Sequence, residues 1–304
     1  MITINTEKGL VKVENWEDVE ALPGFIKNLN PLNQKLDSII GRYIFKEKIN
    51  CGLSNCHTPH AKGFIVKTID GATTNIGKDC GKTYFGVDFE TLSKKFDRDI
   101  SEFENREKLW GFSFRVDEIQ ETINSLRFNE YGANWVYKKT RYLVTMGAGC
   151  PNEIVKQILS MVKSGSISLF KSREATDFDI ESLSASQNRQ ISKPYFIEEK
   201  IADILGLDAL ISENDLKNIL VIDLEENIKT FVSKDIDRLS FEDLKYWSKW
   251  ISTVEINLKK ASDSIQAGRR LLTQDNLKPF STLLTKNEDK LAFRQYLEKL
   301  TSQV

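Results

Sequence analysis

The sequence predicts an α+β fold that is mostly α: an N-terminal β-hairpin module with clustered cysteines, then helices, then a C-terminal helical bundle with one long heptad helix. Three observations predict it. The runs Gly63–Ile69 and Thr73–Ile76 are β-rich and flank Asp70-Gly71, a strong two-residue turn signal. From Phe89 onward, apolar residues recur at steps of three and four, the period of a helix with one buried face. Leu244, Trp247, Ile251, Val254, Leu258, Ala261, Ile265, Gly268 and Leu272 hold that step without a break, as a heptad seam does.

Taken in order, Ile2 to Val13 alternates loosely and reads as one or two strands around Gly9. Asn15 caps a helical turn at Trp16-Glu17-Asp18 that Pro23-Gly24 ends. Leu36, Ile39, Ile40 and Tyr43 fit the inner face of a short helix, and Trp16, Phe25 and Tyr43 read as core aromatics. After the hairpin, Gly77 breaks the strand and Lys78 to Phe85 reads as a short helix. Phe89, Leu92, Phe96, Ile100 and Phe103 mark the next helix, and Ile119, Ile123 and Leu126 another. Pro151 opens a further one, with Ile154, Val155, Ile158, Leu159 and Val162 inside and Gly165 beyond its end. Residues 166–194, rich in Ser, Asp, Asn and Gln and closed by Pro194, read as a linker or loop. Ile197, Ile201, Ile204 and Leu205 suggest a helix stopped at Gly206, and Leu216 to Ile228 another. Ser240 and Asp243 form a capping box before the heptad helix. The expected domains are therefore an α+β module over residues 1–90, a helical middle region over 91–165, the linker, and an α-helical domain over 195–304.

Composition narrows the function classes. A chain of 304 residues has room for two domains. Its 43 Lys+Arg against 44 Asp+Glu give no global basic field. No signal-peptide pattern and no bilayer-length apolar run stands in the sequence, so a soluble, cytoplasmic protein with no membrane partner is expected. P-loop, G-x-G-x-x-G and G-x-S-x-G motifs are absent, and both histidines lie in one stretch, which argues against an enzyme built on a Ser-His or Cys-His dyad. Cys150, between Gly149 and Pro151, reads as a packed cysteine.

That one stretch, Cys51 to Gly86, holds three of the four cysteines (Cys51, Cys56, Cys80) and both histidines (His57, His60). Structural zinc takes four thiolate or imidazole ligands in a closed tetrahedron. Cys51 and Cys56 form a C-x4-C pair, and Cys80 arrives after the hairpin in the first turn of a helix, where free N–H groups favour a thiolate. The fourth ligand is His57 or His60. His60 is preferred, because His57 adjoins Cys56 and neighbouring side chains diverge, whereas Thr58-Pro59 bends the chain back towards His60. Four candidates fill the shell, so a structural rather than catalytic Zn2+ is expected, and the H-E-x-x-H and H-x-E…P-C-x-x-C signatures are absent. The order of knuckle, hairpin and ligand at a helix start resembles a treble-clef-like or zinc-ribbon-like module. The run Ile76-Gly77-Lys78-Asp79-Cys80-Gly81, with Phe85-Gly86, is similar to the I-G-x-x-C segment of small zinc modules in phage and mobile-element proteins. The resemblance covers about residues 40–90. It departs from the treble clef where the helix should give a second ligand: Thr83 and Tyr84 stand there, and the histidine after Cys56 would take that place.

Lys62, Lys67, Lys78 and Lys82, with Lys46 and Lys48 upstream, give this module a positive bias that the whole chain lacks. Residues 131–142 interleave aromatics with cations, among them Trp135, Lys138, Lys139 and Arg141, a pairing that stacks bases and holds phosphates. The plainer reading of that stretch is a core-facing element whose lysines keep their heads in water. The expected function is a non-enzymatic zinc-binding interaction protein acting on nucleic acid or a nucleoprotein complex. The alternative is a protein-binding regulator or inhibitor of phage type that uses its long helix, and a metal-dependent hydrolase comes third. The heptad seam is expected to pair within the chain, with a homodimer through residues 244–272 as the less favoured arrangement.

Overall fold

The computed structural model describes residues 1–7 and 9–300, with the backbone alone at Asn33. Residues 301–304 of the expected C-terminal helical domain lie outside the described residues. The chain is mostly helical, with an N-terminal antiparallel sheet followed by helices. It forms two compact units, Met1–Gly111 with Asp235–Ser248, and Phe112–Lys234 with Lys249–Val304. No helix among the described residues is long and apolar enough to cross a membrane.

In the first unit, strands β1 (Ile2–Thr6) and β2 (Gly9–Val13) pair on either side of Gly9, and α1 (Trp16–Glu20) follows. Strands β3 (Leu36–Asn50), β4 (Pro59–Thr68) and β5 (Thr73–Gly77) complete a five-stranded antiparallel sheet of order β2-β1-β3-β4-β5. β3 corrects the short helix expected at Leu36–Tyr43. The apolar spacing fits a helix, but Ile39, Gly41 and Tyr43 are buried with period two, and β1 and β4 flank the strand on both sides. A β-branched and aromatic run follows its tertiary neighbours more than its local period.

β4 is buried on both faces, which explains its unbroken apolar run. Phe64 and Val66 join Leu53, Ile76, Phe89, Phe96 and Ile100 in one core. Ile65 points the other way and joins Ile2, Ile4, Val19 and Tyr43. On that second face Trp16 makes edge-on contacts with Phe25, Tyr43 and Phe45, at centroid distances of 6.2, 5.2 and 5.8 Å.

Helix α2 (Lys78–Ser113) begins where the sequence places it but runs far beyond Phe85. Gly86 interrupts it with φ 57° and ψ −134°, a conformation that only glycine adopts at little cost. After this kink Phe89 turns back onto the sheet, edge-on to Phe64 at 5.5 Å, and lies under Gly81.

The second unit holds α3 (Val116–Phe128), α4 (Ala133–Val144) and α5 (Asn152–Ser164), the last ending at Gly165 as expected. Residues 166–194 are not an unstructured linker: they form β6 (Ser168–Glu174) and α6 (Asp177–Gln187). α6 buries no residue, so it carries no apolar period, and its Thr176–Asp179 capping box is its main sequence signal. The helix expected at Ile197–Leu205 is strand β7 (Phe196–Asp203), paired with β6. A four-residue spacing is also an even spacing, so Ile197 and Ile201 fit one face of a strand equally well. A wide, π-type turn over Asn218–Glu225 leads into α7 (Glu226–Val232).

α8 (Phe241–Leu271) starts at the expected capping box, with the Asp243 N–H donating to Ser240 Oγ at 3.1 Å. Its positions 244, 247, 254, 258, 261, 265 and 268 are buried and Ile251 is half-buried. α9 (Gln274–Leu277) and α10 (Asn287–Leu297) follow.

Candidate metal centre

Three cysteines converge where the sheet meets α2. Cys51 ends the β3 side of the knuckle, Cys56 closes it, and Cys80 sits in the first turn of α2, after the β4–β5 hairpin has brought the chain back. Their sulfurs lie within 4.8 Å of one another, and Cys56 Sγ is 3.2 Å from Cys80 Sγ. No disulfide forms among them. In a tetrahedral site with metal–sulfur bonds of about 2.3 Å, the sulfurs stand about 3.8 Å apart, so a small outward movement of Cys56 and Cys80 from their 3.2 Å separation suits such a site. The donor set can hold a soft metal ion through three thiolates, with one position left for a fourth ligand. Among the described residues no carboxylate joins this group.

The knuckle is built to aim sulfur inward. Cys51 is buried, and the Leu53 and Gly77 N–H groups point at its sulfur. The Cys56 N–H donates to the Leu53 carbonyl at 3.2 Å, which closes the turn. Gly52 has no room for a Cβ, which would run into Asn75 and the Thr74 hydroxyl. Its N–H donates to the Asn75 carbonyl at 2.8 Å, and its own carbonyl accepts from Leu29 at 2.9 Å.

The three thiols differ in acidity. Burial pushes the Cys51 thiol up, against the pull of the two N–H donors. Burial, then the neighbouring Cys56 and Cys51, push Cys80 up to about 12. Cys56 also feels burial, but hydrogen bonds with the Thr58 side chain and backbone and with the other two cysteines bring it down to about 7. Three converging thiolates repel one another and lose hydration, and a bound metal ion reverses that penalty.

His60 is not part of the cluster. Its ring is fixed by a chain of side chains instead: Asn75 Nδ2 donates to Tyr43 Oη at 3.3 Å, Tyr43 Oη meets His60 Nε2, and His60 Nδ1 lies 3.0 Å from the Thr58 carbonyl. Burial holds the Tyr43 phenol well above its usual range, so it stays neutral and donates to Nε2. This places the His60 proton on Nδ1, directed at Thr58. His57 is exposed and adopts φ 51°, an uncommon backbone state for a residue other than glycine. The sequence reading passed over Tyr43, Thr74 and Asn75 as members of the site. Their signal was a polar run, Thr73-Thr74-Asn75, in a strand with every residue buried.

The lysines separate into groups. Gly63 pairs with Gly77, so Lys62 and Lys78 follow one another at the same end of the β4–β5 pair, and both are exposed. Lys46 and Lys48 stand in the bulged stretch of β3 between the Ile44–Lys62 and Ile49–His60 pairs. Among the described residues none of these four makes an ion pair. Lys82 is tied to Glu90 at 2.7 Å. Lys67 belongs with neither: five residues from Lys62 on one strand, it points from the opposite face, at the hairpin end.

The aromatic-basic stretch is α4, in the second unit. Ala133, Val136, Thr140 and Leu143 face the core, Lys138 and Arg141 are exposed, and Trp135 packs edge-on to Tyr131 at 4.9 Å. Lys139 is half-buried, and burial, then Lys299 and Lys138, lower its pKa. Arg141 lies over the Tyr137 ring at 5.9 Å. One face of α4 is therefore core-facing, and Lys138 and Arg141 stay at the surface. Cys150 is buried, and burial pushes its thiol up to about 12, as suits a packed cysteine. Compared with family models, curated proteins and solved structures, the chain matches none.

Proposed function

We propose that the first unit is a zinc module whose ion is structural, and that the protein uses it as a non-enzymatic nucleic-acid-binding protein. The observation that carries this reading is the convergence of Cys51, Cys56 and Cys80 in a unit that also carries Lys46, Lys48, Lys62 and Lys78, four exposed lysines with no ion pair among the described residues. Three thiolates select a soft ion, and the absence of a carboxylate among the grouped donors favours a structural role over a hydrolytic one. Zinc supplies folding free energy to the thin core around the knuckle.

His60 is the fourth ligand in this reading. Its Nδ1–H on the Thr58 carbonyl is the kind of outer contact that fixes a metal-bound imidazole, with Nε2 left to bind once Tyr43 releases it. Lys62 and Lys78, both exposed at one end of the β4–β5 pair, are cations of the kind that hold a phosphate backbone. The protein-binding alternative through residues 244–272 has less support, because the apolar stripe it would use is buried.

Elemental analysis of protein purified without chelator tests the metal, with about one zinc per chain expected. A value near zero overturns it. His60→Ala lowers zinc affinity and His57→Ala leaves it intact; the reverse result assigns the fourth position to His57. Mobility shifts on single- and double-stranded DNA and on RNA at two salt concentrations test the partner. Changing Lys46, Lys48, Lys62 and Lys78 together to Gln flattens the slope of log affinity against log salt by about 3, at about 0.7–0.9 per phosphate. No shift on any nucleic acid at low salt moves the function to protein binding.

A further inference from the structure

Beside the cysteine knuckle lies a cavity of about 470 Å³, within the first unit. That volume falls in the range of small-ligand sites, about 300–1,000 Å³. Its lining includes Trp16, Lys27, Asn28, Lys48, Asn50 and His57. Cys51 also lines it, but the metal site does not account for Trp16, Lys27, Asn28, Lys48 or Asn50. We infer that this cavity takes one unpaired base of a single-stranded nucleic acid, an inference that rests on the nucleic-acid reading above.

The lining divides by chemistry into the parts such a ligand needs. An indole and an imidazole offer flat surfaces on which any base stacks. Asn28 and Asn50 are both exposed and carry amides, each a donor and an acceptor, suited to the edge of a base. Lys48 belongs both to this lining and to the basic group with Lys46, Lys62 and Lys78, so a backbone that tracks the lysines passes the mouth of the cavity. Glu20 also lines the cavity and would repel a phosphate, but its carboxylate is already engaged: Lys27 Nζ lies 2.8 Å from one oxygen and Trp16 Nε1 donates to the other at 3.0 Å. That network also holds the indole in place.

The walls are preformed. Segment 25–29 runs beside β5 and the knuckle, with the Ile26 N–H on the Thr73 carbonyl at 2.7 Å and the Leu29 N–H on the Gly52 carbonyl at 2.9 Å. Asn75 forms part of the wall, with Nδ2 on the Asn50 carbonyl at 2.9 Å. A base stacked and paired inside a duplex cannot enter a recess of this kind, whereas a single strand can turn one base out.

The test uses the full-length, zinc-loaded protein with four labelled probes at one salt concentration: 12-mer oligo(dT), 12-mer oligo(rU), and mixed-sequence DNA and RNA duplexes of 12 base pairs. At least one single strand binds tenfold or more tightly than its duplex, and which one does so names the natural sugar. The paired change Asn28→Ala with Asn50→Ala removes two exposed side chains, lowers single-strand affinity about tenfold and leaves duplex binding unchanged. Photocrosslinking with a 5-iodouridine 12-mer marks peptides containing Trp16 to Asn28 or Lys48 to His57. Equal affinity for single strand and duplex, an unaltered double variant, or crosslinks only elsewhere overturns the cavity assignment and leaves the nucleic-acid reading standing. No binding of any probe overturns both.

Discussion

Replacing Gly81 with Ala tests how the core positions Cys80. Gly81 is buried in the first turn of α2, directly after Cys80. A Cβ at residue 81 would stand 2.5 Å from two carbons of the Phe89 ring and closer still to Cζ, its tip. Phe89 is fully buried and held edge-on against Phe64, so the ring has nowhere to go. The first turn of α2 must therefore lift, and Cys80 lifts with it. Alanine in a helix gains about 1 kcal/mol over glycine, while overpacking of this kind costs about 1–3 kcal/mol. Because Phe89 is fully buried and cannot yield, the upper part of that cost applies, and the net expectation is destabilisation by up to about 2 kcal/mol, a factor of up to about 30 in the folding equilibrium. Urea denaturation of the first unit, followed alongside zinc affinity, reads both effects. Adding Phe89→Leu to the Gly81→Ala chain clears the space, so the double variant loses less than the sum of the two single changes. A Gly81→Ala protein with undiminished stability and zinc affinity, or strict additivity in the double variant, refutes the reasoning.

Two further outcomes follow from the structure. Chelation of zinc removes hydrogen-exchange protection from the knuckle, β5 and the first turn of α2, while α3, α4 and α5 keep theirs; equal loss across the chain would show that the ion does not act locally. The carboxyl of Asp179 is held well below the usual aspartate range, by Arg173 first (Nη1 to Oδ2 2.7 Å) and then by the Thr176 side chain and backbone. A depressed folded-state pKa contributes stability that is present above the ordinary aspartate value of about 4 and is lost as pH falls through it towards the folded value. Amide exchange at the start of α6 therefore quickens in acid, and Asp179→Asn abolishes that acid dependence; an unchanged exchange profile in the variant removes the carboxylate from the account.

Much of this protein is set by local sequence. The Asp70-Gly71 turn between two β-rich runs becomes the β4–β5 hairpin, and the Gly77–Lys78 boundary becomes the strand-to-helix junction. Ser240 with Asp243 starts α8, and the three-and-four spacing that follows marks its buried face. These features depend on neighbours a few residues away, so they are legible in order along the chain. The spacing of Cys51, Cys56 and Cys80 likewise announces a shared site, because the hairpin between them is itself legible.

Tertiary structure decided the rest. Leu36 to Tyr43 has a helix-like spacing and becomes a strand, because β1 and β4 offer its backbone partners on both edges. Residues 168–174 and 196–203 pair with each other, a contact that neither run specifies alone. Lys62 and Lys67 look equivalent in sequence, yet the pleat sends them to opposite faces, while the Gly63–Gly77 pair puts Lys62 and Lys78 at the same end of the β4–β5 pair. His60 has the right chemistry and spacing for a ligand, but its Nε2 meets Tyr43, 17 residues away, a contact that the pairing of β3 with β4 sets. Spacing along a chain says which side chains can reach a site; only the packing of the strands beneath them says which way each one points.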